Sequence, residues 1–360
     1  MPPAPCPPAP GCSSREPRMT NRVLVVVLAE TRAHEVTFGA FKQNLLDRLG
    51  ADLALCVGDG PRETHNPFYE HARYVWKFPE SRMDGAEDWS AALDEMAEGR
   101  NWRCLLEVPD GWIGGIKDPA YRWPGTGHFL IAFREFLRRQ METAGVLDRY
   151  DWFLITRSDM MYPIPHPDLD LFSPEYVWVP DGERWGGFTD RHMLIPARFI
   201  RQVLDLTRDI FERPEDLARR LKARNRTWST EGFLKFHFAE TGLLKHVRFS
   251  PYFMYLVRAP DGHTRWSEGD YNAQLRVFIK YRREYTSSIA LQAVVAEPAD
   301  WRHLIGWRRF FNWRMYAYCL MRTGAERYEI PARLRFLRMV RRFFVLLLQP
   351  VDTGAVDRVR

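Results

Sequence analysis

Two short charged clusters follow apolar runs in this sequence, Glu30-Thr31-Arg32 and Arg157-Ser158-Asp159, and a third, Asp190-Arg191-His192, closes a glycine-bearing loop, with Glu231 further along. Guanidinium groups and carboxylates delivered together at strand ends are the residue types that hold phosphates or hard divalent cations. A carboxylate set beside them can also take up or release a proton. The Arg157–Asp159 cluster is the sharpest of the three, because Trp152–Thr156 is a run of β-branched and aromatic side chains that reads as a strand covered on both faces. Pro163 and Pro165 forbid a regular continuation, so Arg157, Ser158 and Asp159 are expected at an open lip. Asp159 there either faces a ligand or caps the following turn.

The other clusters carry the same kind of choice. Arg32 meets a phosphate or pairs with a nearby acid. Asp190 follows Gly186 and Gly187, which let backbone approach a ligand closely, and it recognises hydroxyl groups or simply balances Arg191. Trp185 and Phe188 suit a sugar face and a core equally. Glu231 stands at a helix start, where the helix dipole favours an acid with or without chemistry. His192, His237 and His263 have no metal-ligand spacing and read as structural or solvated.

The elements that must position these residues alternate between strand and helix. A buried strand at 22–29, apolar positions at helical spacing from Phe38 to Leu49, Gly50 as a stop and a strand at 51–57 form a βαβ unit. Such units build parallel sheets whose functional loops lie at the carboxyl ends of the strands. Residues 61–123 are less regular, with one short helix at 89–97 and a glycine-rich loop at 111–115 of the kind that lines pockets. A helix at 127–144 leads into the key strand, followed by strands at 176–179 and 192–195, helices at 199–211, 215–224 and 230–240, and an extended stretch at 245–257.

With 360 residues and 46% hydrophobic content, the chain can bury a large core. The net charge of +6 is unevenly placed, since residues 301–360 hold 13 Arg against 4 acids while residues 1–300 hold 39 Lys and Arg against 42 acids. No helix-turn-helix, finger or RNP-like signature accompanies that charge, so nucleic acid is not expected as a partner. Five widely spaced cysteines fit neither a disulfide framework nor a metal pair and suit a reducing cytoplasm. Apolar runs such as Val23–Ala29 and Phe343–Leu348 fall far short of the roughly 20 residues a spanning helix needs. Residues 1–20 read as a proline-rich disordered tail without the layout of a secretory signal, and Met19 is a second candidate start. Residues 271–360 read as a helical, basic, aromatic extension, which suits either an anionic membrane surface on the inner face or packing on the core.

The order of these pieces, from Glu30-Thr31-Arg32 through Tyr150-Asp151 and Arg157-Ser158-Asp159 to Trp185–His192 and Ser229-Thr230-Glu231, resembles bacterial and viral glycosyltransferase-like proteins of the nucleotide-diphospho-sugar (GT-A) type. The likeness spans roughly residues 20–260 and rests on motif order. It implies a GT-A-like α/β fold over 21–270, with a mostly parallel central sheet flanked by helices and a basic helical C-terminal appendage. It also implies transfer of a sugar from a nucleotide-sugar donor to a glycan or lipid-linked acceptor.

Carried onto this sequence, Thr31, Arg32, Arg157 and Asp159 would bind the donor, with Asp159 reaching a divalent cation, Mn or Mg. Trp185, Phe188 and Arg191 would bind the acceptor, and Glu231 or Asp190 would act as general base. Arg157 stands where the family's first acid would, so Arg32 and Arg157 are the alternative to a cation in holding the diphosphate. A Rossmann-type methyltransferase is disfavoured because no Gly-x-Gly-x-x-Gly follows the first strand. The remaining rival is a non-catalytic protein of the same fold that docks on membranes or partners through its basic tail.

Overall fold

The computed structural model describes residues 21–59, 65–79, 90–108, 127–226, 228–250, 252–260 and 269–292. The expectations for the proline-rich tail, for the loop at 111–115, for His263 and for the basic segment beyond 292 fall outside these residues. In chain order the strands are β1 (Val23–Ala29), β2 (Asp52–Gly58), β3 (Ala72–Phe78), β4 (Trp152–Thr156), β5 (Met160–Met161), β6 (Val177–Pro180), β7 (Met193–Pro196), β8 (Val247–Ser250), β9 (Tyr255–Arg258), β10 (Asp270–Asn272) and β11 (Val277–Ile279). The helices are α1 (His34–Phe41), α2 (Pro67–His71), α3 (Ser90–Ala97), α4 (Gly127–Thr143), α5 (Ala197–Leu204), α6 (Arg208–Glu212), α7 (Pro214–Ala223), α8 (Thr230–Glu240) and α9 (Arg282–Gln292).

Seven strands form one sheet in the order β3-β2-β1-β4-β7-β6-β8. All neighbours are parallel except at β7, which runs antiparallel to β4 and to β6. A mixed α/β protein with a mostly parallel, helix-flanked sheet is therefore what forms. The unbroken apolar run of β1 is explained by burial on both faces, since its alternate residues enter two different cores. Leu24, Val26 and Leu28 pack with Phe133, Leu137 and Phe153 on one side. Val23, Val25 and Val27 pack with Phe38, Phe41 and Leu154 on the other.

Chain order reverses direction across the sheet between β1 and β4: β2 and β3 continue outward from β1 on one side, and β4 starts the other half. Parallel pairing sets Val27 opposite Thr156, so both strands end at the same level and their following loops emerge side by side. In α/β sheets this switch point opens a crevice at the carboxyl ends of the strands. The side chain of Ser158 ties the two loops together, donating to the carbonyl of Glu30 at 2.8 Å and also reaching that of Arg32 at 3.1 Å.

Several elements differ from the sequence reading. β3 lies inside the stretch read as irregular, where its exposed alternate residues, Arg73, Val75 and Lys77, hide the strand pattern of an edge position. The single helix expected at 199–211 is broken into α5, a 3₁₀ turn at Asp205–Thr207 and α6, and Thr207 is fully buried, donating from its hydroxyl to Glu135 at 2.6 Å. A second sheet, β10-β11-β9-β5, crosses the boundary read at residue 270, because β11 pairs with β9. Helix α9 then packs onto this unit through Tyr285 and Ile289, while its buried Glu284 pairs with Arg191. Among the described residues no helix is long and apolar enough to cross a membrane.

Candidate functional site

At the switch point a small cleft is lined by Leu28, Ala29, Glu30 and Arg32 from the end of β1. Thr156, Arg157 and Asp159 from the end of β4, Leu130 and Arg134 from α4, and Asp190 complete it. Ala29 and Ala33 hold left-handed backbone, with φ of 84° and 56°. Non-glycine residues pay for that conformation, and such strain gathers where a loop must be aimed. Thr37 fixes the aim, because its hydroxyl reaches the carbonyls of Ala33 at 2.9 Å and Ser158 at 2.7 Å.

Asp159 sits at the floor of this cleft, and its side chain is only 1% exposed. The open carboxylate expected from the sequence is thus corrected: Asp159 lines a cavity, but beneath a cover of guanidinium groups. Arg157 grips it with two bonds, Nε to Oδ1 at 2.9 Å and Nη2 to Oδ2 at 2.8 Å. Arg258, at the end of β9, donates to Oδ2 as well, and Arg32 Nε stands 3.9 Å from the same oxygen. Burial would push the Asp159 carboxyl up, but Arg157, Arg258 and Arg32 outweigh it and hold the group well below the usual carboxylate range.

These surroundings do not fit a divalent cation on Asp159. Both oxygens already accept guanidinium N–H bonds, and among the described residues no three His, Cys, Asp or Glu side chains come together to hold a metal. A cation placed there would also meet Arg157, Arg258 and Arg32, each repelling it by roughly 4 kcal/mol per unit of its charge at about 4 Å. Three guanidinium groups, of Arg32, Arg134 and Arg157, line the cleft beside the carboxylates of Glu30, Asp159 and Asp190.

Arg134 is the most buried of the three arginines. It is 6% exposed, donates to the carbonyl of Asp190 at 3.0 Å, and leaves its buried Nε with no hydrogen-bond partner among the described residues. Burial drives its pKa down, opposed by the charge of Asp190. The sequence reading passed over Arg134 because it lies among Phe133, Phe136 and Leu137 on what reads as an amphipathic helix. Arg258 carried a usable signal: an arginine closing an apolar strand, as Arg157 closes β4. Lys280 was also missed; burial, then Arg258, Arg157 and Arg191, lower its pKa to about 8.

Asp190 connects the cleft to a second acid. It lines the cleft, and its charge, after burial, raises the Glu231 carboxyl to about 7. Glu231 lies in the first turn of α8, whose cap is Ser229, accepting from the Gly232 backbone at 3.0 Å. The helix dipole would favour the ionised acid there, so burial and Asp190 have won. A carboxyl raised this far can take up and release a proton near neutral pH.

The remaining residues named from sequence divide. Thr31 lies outside the cleft lining, and its carbonyl is used by the Asn66 side chain at 3.3 Å. Trp185 is 59% exposed on left-handed backbone with φ of 44°, an open aromatic face on the loop that carries Asp190. Phe188 is a correction: it is buried against Phe238 and Phe249, so it packs the core and offers no face to a sugar. Arg191 is another correction, because it is buried in a bidentate pair with Glu284, Nη2 to Oε1 at 2.9 Å and Nη1 to Oε2 at 3.2 Å, and lies 4.2 Å over the Tyr281 ring. It anchors the Asp190 loop to α9. His192 and His237 are structural, one bonded to Thr156 and Tyr162, the other to the carbonyl of Gln202.

No protein-family model and no curated protein sequence matches the chain. Among solved structures it is similar to mouse xyloside xylosyltransferase 1 in its apo form, at 11% identity and a TM-score of 0.36, over 64% of this chain and 84% of that one.

Proposed function

We propose that the protein is a glycosyltransferase that moves a sugar from a nucleotide-diphospho-sugar to a hydroxyl acceptor. The reading is supported by the arginine-lined cleft at the sheet switch point together with Glu231, outside that lining, whose carboxyl is raised to about 7 by burial and by the charge of Asp190 on the cleft wall. A diphosphate leaving group gains negative charge as its bond to the sugar breaks, and buried guanidinium groups stabilise charge that develops in the transition state. The carbon–oxygen bond to the diphosphate gives its electron pair to the departing oxygen. The acceptor oxygen bonds to the same carbon, and its proton passes to Glu231.

In this reading Arg32, Arg134 and Arg157 bind the diphosphate, and Asp159 orients Arg157 and Arg258 without touching the donor. Asp190 bridges the donor cleft and Glu231, and Trp185 supplies a stacking face for the acceptor sugar. The motif order read from sequence supports the same class of reaction and the same GT-A-like arrangement.

A panel of nucleotide-sugars screened by thermal shift, followed by measurement of nucleoside diphosphate release, tests the proposal. A ligand that binds only the folded state raises its melting point. The expected result is one donor class that stabilises the protein and is slowly hydrolysed, with hydrolysis lost in Glu231→Gln and binding lost in Arg32→Met. Stabilisation without any turnover, with or without acceptor sugars, would point to the non-catalytic rival.

A further inference from the structure

We propose that this site holds a diphosphate with guanidinium groups in place of a divalent cation, and that Arg134 is the principal residue doing so. The inference rests on reading the cleft as the donor site, and it adds what neutralises the leaving group there. Its ground is the state of three side chains, those of Asp159, Arg134 and Arg32. Asp159, the acid that would carry a metal, has both oxygens engaged by Arg157 and one of them by Arg258 as well. It is therefore already a counter-ion. Arg134 lines the cleft and is buried, its only hydrogen-bond acceptor among the described residues is the backbone carbonyl of Asp190, and its Nε is unpartnered. Arg32 also has a buried Nε without a hydrogen-bond partner, while its Nη2 pairs with Glu30 at 2.8 Å.

Buried N–H groups are almost always hydrogen-bonded in folded proteins, so unsatisfied guanidinium donors on two side chains that line a cleft call for an acceptor. A metal ion cannot supply one; phosphate oxygens can, and a planar guanidinium meets them in bidentate geometry. With Asp159 consumed by Arg157 and Arg258, Arg134 and Arg32 are the donors left over for ligand. Arg157, fixed by Asp159, adds its charge to the same wall of the cleft.

Calorimetric titration of the full-length protein with inorganic pyrophosphate, and with UDP and GDP, in EDTA and again with excess MnCl₂, tests this. The expected dissociation constants in EDTA and in Mn²⁺ agree within about threefold. Arg134→Met and Arg32→Met each weaken pyrophosphate binding by roughly 10- to 100-fold, the value of a charge-assisted bond, and Arg134→Lys recovers part of the loss. If Arg134→Met fails to fold, Arg32→Met carries the test, since that side chain lies partly exposed at the lip. Binding that needs Mn²⁺, or that neither substitution weakens, overturns the inference. Nucleotide binding only with Mn²⁺ would do so while leaving the donor-site reading intact. Pyrophosphate binding in EDTA without any nucleotide or nucleotide-sugar binding would have the opposite effect.

Discussion

The backbone of Gly187 lies so close to the carbonyl of Glu231 that a Cβ on Gly187 would stand 1.7 Å from that oxygen. The neighbouring Phe188 amide donates to the same carbonyl at 3.3 Å, and the Ser229 hydroxyl donates to the Trp185 carbonyl at 3.1 Å, so the loop bearing Asp190 is seated directly on the first turn of α8. Neither partner in the Gly187 contact is a side chain that can swing aside. Gly187→Ala is therefore expected to lift the loop and cost about 1–3 kcal/mol, the usual penalty of overfilling a packed contact. Lifting it also moves Asp190 away from Glu231 and lets the Glu231 carboxyl fall toward its ordinary range. Thermal melts together with a titration of the Glu231 carboxyl by NMR check both effects; a wild-type melting point would show that the seat is loose.

The raised Glu231 carboxyl has a consequence for stability with a definite sign. Between its ordinary value of 4.5 and about 7 the folded state keeps a proton that the unfolded chain has lost. Stability from this group is present below about 4.5 and is given up as pH climbs through about 7. Glu231→Gln removes the ionisation, so the variant should be more stable than wild type at pH 8, by up to about 3 kcal/mol, and no more stable at pH 4. Chemical denaturation at the two pH values measures the difference. In donor hydrolysis, the same ionisation should give a rate that rises with pH to a plateau above about 7.

For Asp159 the sign is opposite. Its folded pKa is depressed, so it stabilises the protein at all pH values above the ordinary carboxylate range and loses that role only as strong acid protonates it. Asp159→Asn keeps the shape and leaves Arg157 and Arg258 as uncompensated buried charges, a change expected to cost about 3–5 kcal/mol at pH 7. Pyrophosphate should then raise the melting point of the variant more than that of wild type, because the added anion replaces the lost one. An Asn variant as stable as wild type would mean that Asp159 is a free acid at the surface.

The strands that frame the cleft were legible because their sequences carry burial on both faces: β1 and β4 are unbroken apolar runs, and their ends fall where the charged clusters begin. Arg32, Arg157 and Asp159, which the cleft brings together, follow those two strands directly, and Asp190 comes to the same cleft from a glycine-rich loop. What the sequence could not carry was pairing. Nothing local distinguishes Arg191, gripped by Glu284 93 residues away, from an arginine that meets substrate. Asp159 is masked by Arg258, which lies 99 residues on. Strand β3 was lost because an edge strand with one exposed face lacks the apolar density of β1 and β2.

Trp185 and Phe188 looked alike in sequence and occupy opposite environments. Trp185 is 59% exposed and sits at φ 44°, where a side chain costs backbone strain and glycine does not. Trp185→Gly is therefore expected to change stability by less than about 1 kcal/mol, since little buried area is lost and strain is relieved. Phe188 is buried in contact with Phe238 and Phe249, so Phe188→Ala should cost about 3–5 kcal/mol through the cavity it leaves. If Trp185 stacks on an acceptor sugar, Trp185→Gly raises the KM for acceptor while donor hydrolysis continues unchanged. Phe188→Ala has the reverse pattern, a lowered melting point with the acceptor KM of the remaining folded protein little altered. Equal stability losses in the two variants would mean that Trp185 packs against the protein, and the loop would then present no aromatic face to a ligand.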